Sequence, residues 1–135
     1  MSEENVEVAR RVLEGNRSDS DATDELLQFA DPNCEYTSIV AGVEPKVYRG
    51  HDDLRRYRRD LAEAFDEWRN EVEEVYELTP DTVYATIRSR VVGRESGAAI
   101  EAQLAVIFVF AGGKIVRGGT YPNREAALEA AGLSE

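Results

Sequence analysis

The stretch Ala98–Phe110, AAIEAQLAVIFVF, alternates between two sets of side chains over most of its length. Because successive side chains of a β-strand point to opposite faces of a sheet, this alternation predicts one long strand. One set is entirely apolar and predicts a face covered by helices: Ile100, Ala102, Leu104, Val106, Phe108 and Phe110. The other set predicts the outer face: Ala99, Glu101, Gln103, Ala105, Ile107 and Val109.

The segments on either side of this strand repeat the period of two. Gly112-Gly113 predicts a tight hairpin into a last strand over Lys114–Tyr121. Two earlier strands are predicted over Val72–Leu78 and Val83–Val92, joined by a proline-containing turn at 79–82. Consecutive strands joined by short turns are antiparallel, so these segments predict a curved antiparallel sheet.

Helical periods dominate the earlier part of the chain. A first helix is predicted after Ser2, and a short second helix ends before Asp31-Pro32. A strand over Cys34–Val40 and a loop over Ala41–Gly50 follow. The longest helix begins at Asp52 or Asp53, and its apolar side chains recur at spacings of three and four: Leu54, Tyr57, Leu61, Phe65 and Trp68.

A short C-terminal helix capped by Asn123 completes the pattern. The element order α-α-β-α-β-β-β-β-α predicts an α+β fold in which a curved antiparallel sheet wraps around helices, as one domain over residues 1–135. This length is sufficient for one hydrophobic core.

The composition excludes several classes of function. A net charge of −11 argues against nucleic acids and anionic membranes as partners. The acidity is explained by solubility, with adaptation to high salt as the alternative. Cys34 is the single cysteine and His51 the single histidine, so neither a disulfide nor a metal site is expected, and no cofactor is indicated. No apolar run is long enough to span a membrane, and the acidic N-terminus predicts a cytoplasmic protein.

The predicted inner face offers few polar groups, since Ser89 is its only polar side chain in the two central strands. Polar atoms must therefore come from aromatic and basic side chains nearby. In the last strand, Gly118-Gly119 either forms a bulge or leaves room for a ligand. The predicted pocket is lined by Tyr36, Tyr48, Trp68, Ser89, Val106, Phe108, Arg117 and Tyr121.

Several segments together resemble a known family. They are Phe29–Tyr36 (FADPNCEY), Val47–Gly50 (VYRG), Gly113–Arg117 (GKIVR), Tyr121–Leu128 (YPNREAAL) and Ala131–Leu133 (AGL). With these segments the chain, from about Asn5 to Leu133, resembles the SnoaL-like, polyketide cyclase-like branch of the nuclear-transport-factor-like and ketosteroid-isomerase-like cone fold. The resemblance implies a cone-shaped α+β barrel with an internal pocket. It does not imply one reaction, because this fold hosts cyclases, isomerases, hydrolases and proteins without catalysis.

The chain departs from this family at chemically important positions. Many relatives carry His where this chain has Val106, Asp where it has Asn123, and Arg where it has Gly119. An Asn cannot act as the acid or base expected of a cyclase carboxylate. Tyr36, Arg117 and Tyr121 do match an aromatic, a basic and an aromatic position of the family.

Three hypotheses follow. The first is a pocket protein that binds a small apolar or aromatic molecule. The second is a cyclase- or isomerase-type enzyme that enolises a carbonyl compound. Its base would be Glu74, which alternation places on one face with Val72 and Tyr76, and Tyr36 or Tyr121 would donate to the oxyanion. The third is a structural dimer with a filled core and no ligand.

The outer face predicts an interface. Ala105, Ile107 and Val109 form an apolar patch that Tyr84 extends, and exposed patches of this kind mark contact surfaces. A homodimer through this face is therefore expected, and the resemblance agrees because such cones commonly pair sheet to sheet. The alternative is that the C-terminal helix folds back over the same patch.

Overall fold

The computed structural model describes residues 2–14, 27–39 and 46–133. Its elements in chain order are α1 (Ser2–Glu14), β1 (Ala30–Ser38), β2 (Lys46–Arg49), α2 (Gly50–Ala64), β3 (Phe65–Thr79), β4 (Thr82–Gly93), β5 (Ala99–Ala111), β6 (Lys114–Tyr121) and α3 (Arg124–Ala130). Residues 27–29 are helical, and the rest of the predicted second helix lies outside the described residues. In the described ranges, no helix combines the length and apolarity needed to span a membrane.

The sheet has six strands in the order β2-β1-β6-β5-β4-β3, so the predicted α+β class with a curved sheet is confirmed. Its antiparallel meander from β3 to β6 follows the prediction. β1 joins β6 in parallel, which makes the sheet mixed. β2 lies in the segment that we expected to be a loop, and it pairs with β1 so that Tyr48 stands opposite Tyr36.

The junction between α2 and β3 corrects the predicted end of the long helix. The helix stops at Ala64, because the backbone of Phe65 is extended, and β3 starts at once without a loop. Phe65 and Trp68 therefore belong to the strand. Phe65 lies four residues after Leu61 and Trp68 three after Phe65, which continues the helical period by coincidence, because a register shift between Phe65 and Glu67 lets both strand residues reach the core.

The hydrophobic core lies on the inner face, defined here as the sheet face that carries Ile87, Val106 and Phe108. All three side chains are at most 1% exposed. α1 and α2 cover this face with Ala9, Val12, Leu13, Leu54, Tyr57 and Leu61. The prediction for β5 is wrong at its start, because Ile100 is 61% exposed and Ala102 is exposed as well, both near the turn that joins β4 to β5.

The opposite, outer face of the sheet is also covered in part. Ala127 of α3 packs against Tyr84, Ala105 and Ile107, which are each at most 5% exposed. The premise that Ile107 faces water in the single chain is therefore wrong, since the C-terminal helix folds back over this patch. Val109 is partly buried at the edge of the same cluster.

Candidate functional site

A cluster of aromatic rings lies between α2 and the β1 end of the inner face. Tyr36 and Tyr48 are cross-strand neighbours, and Tyr57 comes down onto them from α2. The ring centroids are 5.6 Å apart for Tyr36–Tyr57 and 4.9 Å apart for Tyr48–Tyr57. Phe108 of β5 stacks on Tyr36 with centroids 6.5 Å apart. Such tilted and offset pairs are the favoured arrangements of aromatic side chains.

The hydroxyl groups of this cluster are engaged in hydrogen bonds. Ser38 Oγ donates to Tyr57 Oη at 3.4 Å, and Tyr48 Oη donates to Asp60 Oδ2 at 3.3 Å at the rim. Burial raises the pKa of Tyr36 well above 10, and the neighbouring Tyr57 hydroxyl adds to this effect. Burial also raises the pKa of Tyr57, and burial together with the nearby Asp60 carboxylate raises the pKa of Tyr48 to about 12. All three phenols stay protonated near neutral pH, where they act as hydrogen-bond donors.

Arg58 brings a positive charge into this apolar surrounding. Arg58 is only 7% exposed, and its guanidinium carbon lies 5.2 Å from the centroid of the buried Trp68 ring. The charge lowers the pKa of Tyr36 and of Tyr57, against the larger effect of burial. Cation–π contact with Trp stabilises a desolvated guanidinium.

Arg58 was not among the site residues predicted from the sequence, although the sequence carries a signal for it. Arg58 lies four residues after Leu54 and three before Leu61, and both of these leucines are fully buried. Positions three and four apart share one face of a helix, so Arg58 falls on the apolar side of α2. The neighbouring Arg55, Arg56 and Arg59 are exposed.

The structure brings only part of the predicted pocket together. Tyr36, Tyr48, Trp68, Val106 and Phe108 are buried on the inner face, and Ser89 lies on the same face of β4. The enclosed cavity expected among these residues stays a prediction.

Arg117 and Tyr121 lie on the outer face, which corrects their predicted place in the pocket. Arg117 stands opposite Val109, and Tyr121 stands opposite Ala105. The register shifts by one residue between Val109 and Phe110, so that Ile115 turns inward while Arg117 turns outward. A strict period of two cannot reveal such a bulge.

Two consecutive glycines of β6 make room for aromatic rings of this chain. A Cβ atom on Gly118 would lie 2.8 Å from Cδ1 of Phe108. One on Gly119 would lie 2.7 Å from the hydroxyl of Tyr121 and 2.8 Å from the Thr37 carbonyl oxygen. The bulge of β6 lies between Ile115 and Arg117 and not at the glycine pair. The space beside both glycines is occupied by groups of this chain.

Glu74, the predicted catalytic base, points away from the inner face. The β3–β4 register shifts between Val72 and Glu74, so Glu74 stands opposite Thr86 and Tyr76 opposite Tyr84 on the outer face. The Glu74 side chain is exposed. An exposed carboxylate on the outer face cannot remove a proton from a ligand held among the inner rings, because a general base must reach that proton.

A groove of about 350 Å³ lies on the outer face between α3 and strands β3 to β5. Arg124 lies over the Tyr84 ring, with its guanidinium carbon 4.7 Å from the centroid, and donates a hydrogen bond to Tyr76. At the end of the groove, Asn123 Oδ1 accepts a hydrogen bond of 2.8 Å from Ala126 N. The predicted role of Asn123 as a helix N-cap is thereby confirmed.

Comparisons with known proteins agree with this geometry. The family model described as a SnoaL-like domain matches residues 9–118. A protein from Jannaschia sp. CCS1, described as a SnoaL-like polyketide cyclase, is 18% identical, with 89% of this chain and 85% of that chain covered and a TM-score of 0.76. An NTF2-like protein of unknown function from Burkholderia pseudomallei K96243 is also 18% identical, with 98% of both chains covered and a TM-score of 0.77.

A third similar structure is TerC, co-crystallised with polyporic acid. It is 16% identical, with 89% of this chain and 92% of that chain covered and a TM-score of 0.74. At these identities the structural similarity establishes the fold alone. No curated protein matches the chain.

Proposed function

Since the chain belongs to the SnoaL-like domain family, we propose that it is a pocket protein that binds a small aromatic molecule inside the cone. The observation that carries this proposal is the inner cluster of Tyr36, Tyr48, Tyr57, Trp68 and Phe108. Ligand sites combine an apolar, aromatic lining with a few placed polar groups. TerC, which has a similar fold, was co-crystallised with polyporic acid, which supports binding of an organic molecule by this scaffold.

Binding is favoured over catalysis by the groups that surround the cluster. Among the residues that the structure describes, no Asp or Glu side chain is buried. The inner titratable groups described above are phenols with raised pKa values and a guanidinium, and neither kind of group is a base near neutral pH. Glu74 lies on the outer face and Asn123 caps α3, so the residues considered for cyclase or isomerase chemistry support that alternative poorly.

Trp68 offers a direct test, because it is the only tryptophan in the chain. We expect 2-naphthol to change the Trp68 fluorescence saturably. Tyr36→Leu should weaken binding by about tenfold, which corresponds to ~1.4 kcal/mol. The matched control is Tyr76→Leu, which removes the same side chain from the outer face.

Circular dichroism of both variants establishes that they are folded. The absence of saturable binding to the wild type would contradict the proposal. Equal losses in Tyr36→Leu and Tyr76→Leu would place the binding site elsewhere.

We also propose a homodimer through the outer face. The apolar patch is covered by α3 within one chain, so the contact would use the charged strip beside it, where Arg88 and Arg90 of β4 pair with Glu73 and Glu67 of β3 and Glu101 of β5 stands opposite Arg90. A two-fold axis would add ion pairs between the chains, with Arg90 of one chain facing Glu101 of the other. The cytoplasmic location expected from the sequence stays a prediction.

Sedimentation velocity tests this interface. Arg90→Glu should weaken the dimer, and the double variant Arg90→Glu/Glu101→Arg should restore it. A wild type that stays monomeric at tens of micromolar would rule the dimer out.

A further inference from the structure

The inner face continues from the core towards the turn that joins β4 to β5. Three rows of side chains cross β3, β4 and β5 in register there: Val72, Ile87 and Leu104 nearest the core, then Asn70, Ser89 and Ala102, then Trp68, Val91 and Ile100. Ala102 lies six residues before Phe108 on β5, about 20 Å away along the strand. The middle row is therefore separate from the stacked pair of Phe108 and Tyr36.

The middle row carries two neutral polar side chains between two apolar rows. Asn70 and Ser89 are cross-strand neighbours, so their Cβ atoms lie about 4.5–5.5 Å apart on the same face. Ser89 is only 6% exposed, and Asn70 is half-buried. Within the described ranges, neither side chain forms a hydrogen bond to the protein. Buried polar groups of proteins normally have partners, so this pair has hydrogen-bonding capacity that the fold leaves unused.

An exposed apolar surface adjoins the pair on the side of β5. Ile100 is 61% exposed, Ala102 is exposed, and Val91 is partly buried. An apolar surface open to solvent beside a few inward polar groups is typical of a ligand site. The nine side chains of the three rows include no ionisable group, and Arg58 of α2 is already in contact with the Trp68 ring. The pair therefore offers hydrogen bonds between neutral groups.

We propose that this surface is a second ligand site and that it binds an aryl primary carboxamide. The side-chain amide of Asn70 donates and accepts, so it pairs reciprocally with the amide group of the ligand, and the Ser89 hydroxyl donates to the ligand's carbonyl oxygen. The aryl group then lies on Val91, Ile100 and Ala102. Two strand spacings, about 9–10 Å, separate β3 from β5, which is similar to the length of a two-ring aryl amide.

The inference goes beyond the proposed function, because the site uses other residues and takes a ligand with a neutral amide group. The readout is therefore specific to this site: the side-chain amide signals of Asn70 in the nuclear magnetic resonance spectrum of isotope-labelled protein, assigned by their loss in Asn70→Leu. We expect 2-naphthamide at pH 7 to shift these signals saturably. The matched control is the side-chain amide of Asn123, which caps α3 on the outer face and should not shift.

Two further probes with the same ring system test the chemistry of the ligand. The ketone 2-acetonaphthone and the anion 2-naphthoate accept hydrogen bonds but donate none, so both should bind at least about fivefold more weakly than 2-naphthamide. Equal affinity of the ketone and the amide, or a preference for 2-naphthoate, would overturn the inference. Unshifted Asn70 signals in a protein whose Trp68 fluorescence still responds to 2-naphthol would overturn it while the proposed function stands.

Variants on the two faces of β4 test the role of Ser89. Ser89→Ala should weaken binding of 2-naphthamide about fivefold, whereas Thr86→Val, which removes a hydroxyl from the outer face of the same strand, should leave it unchanged. Equal effects in the two folded variants would contradict the proposal. Ile100→Glu tests the other possible occupant. If it separates a dimer in sedimentation velocity while 2-naphthamide leaves the wild-type Asn70 signals unshifted, a second copy covers this surface and the proposal is wrong.

Discussion

Gly118 of β6 provides a sharp test of the packing that supports the inner site. In Gly118→Ala, the new methyl group would lie 2.8 Å from Cδ1 of Phe108 and 3.0 Å from the carbonyl oxygen of Ile107. Carbon atoms in van der Waals contact lie about 3.5–4.0 Å apart, so the Phe108 ring must retreat by roughly 0.7 Å or more. Phe108 is 1% exposed and stacks on Tyr36, which leaves the ring little room to move.

The expected loss of stability combines two opposing effects. Overpacking of a filled core costs about 1–3 kcal/mol. Alanine also lowers the conformational entropy of the unfolded chain, which raises the free energy of unfolding by about 0.4–1 kcal/mol, because the backbone at Gly118 is not in the left-handed region. We therefore expect the free energy of unfolding, measured by urea denaturation, to fall by about 1–2 kcal/mol.

Gly93→Ala is the matched control. Its methyl group would meet the hydroxyl oxygen of Ser96 at 2.6 Å, but Ser96 is exposed and its side chain can turn away, because water can replace the hydrogen bond that this oxygen accepts from Ala98 N. We expect a change within about 0.5 kcal/mol for this surface variant. In a Phe108→Leu background, which removes the ring, Gly118→Ala should cost less than it does in the wild type. Equal urea midpoints for Gly118→Ala and Gly93→Ala would refute the inference that the Phe108 ring packs directly against Gly118.

Three further predictions concern other parts of the molecule. Asn123→Ala should lower stability by about 1 kcal/mol in thermal unfolding, whereas Asn123→Asp, which retains the cap acceptor, should change it by less than ~1 kcal/mol; equal effects would contradict the cap. Ile107→Glu should unfold the chain rather than merely separate subunits, because Ile107 is 3% exposed beneath α3, and circular dichroism of a folded, stable variant would disprove this burial. The pKa values of Tyr36 and Tyr57 are raised by burial, so the native state holds their protons longer than the unfolded state. The free energy of unfolding should therefore be unchanged below about pH 10 and fall as the pH rises through the pKa values of the folded state. Tyrosinate absorbance and circular dichroism, followed in parallel during an alkaline titration, would detect this fall. Titration of all tyrosines near pH 10 without unfolding would contradict the prediction.

The sequence predicted the parts of the fold that follow regular periods. β6 has its predicted bounds, because the glycine pair before it marks its start, and β4 and β5 agree to within one residue at each end, because the alternation of these two strands is unbroken. β2 was missed because its four residues carry too short a pattern to differ from a loop. The direct passage from α2 into β3 was missed because no glycine or proline marks it.

The sheet face of a candidate site residue was predicted correctly where the side chains alternate regularly. It was predicted wrongly where a bulge precedes the residue. Val106 and Phe108 lie inside as expected. Glu74 and Arg117 each follow a register shift, which reverses the face that counting assigns. A bulge depends on the pairing of two strands that are distant in sequence, so one strand's own pattern does not contain it. Trp68 was predicted to be buried as part of the long helix. It is buried, but as a residue of β3, because either element would direct it to the core.

The position of β3 at one end of the sheet gives its acidic residues a role in keeping molecules apart. Among the strands of residues 27–39 and 46–133, this strand of fifteen residues pairs with β4 alone, and its other edge carries backbone groups that no described strand pairs with and that a second chain can bind. Its exposed carboxylates include Glu71, Glu73, Glu74 and Glu77, and its register is broken at three points. Both features hinder the approach of another strand, the first by repulsion and the second by irregular geometry. As the solution approaches the isoelectric point, near pH 4.6, the repulsion weakens, and growth of the sheet from molecule to molecule along this edge becomes the expected route of aggregation.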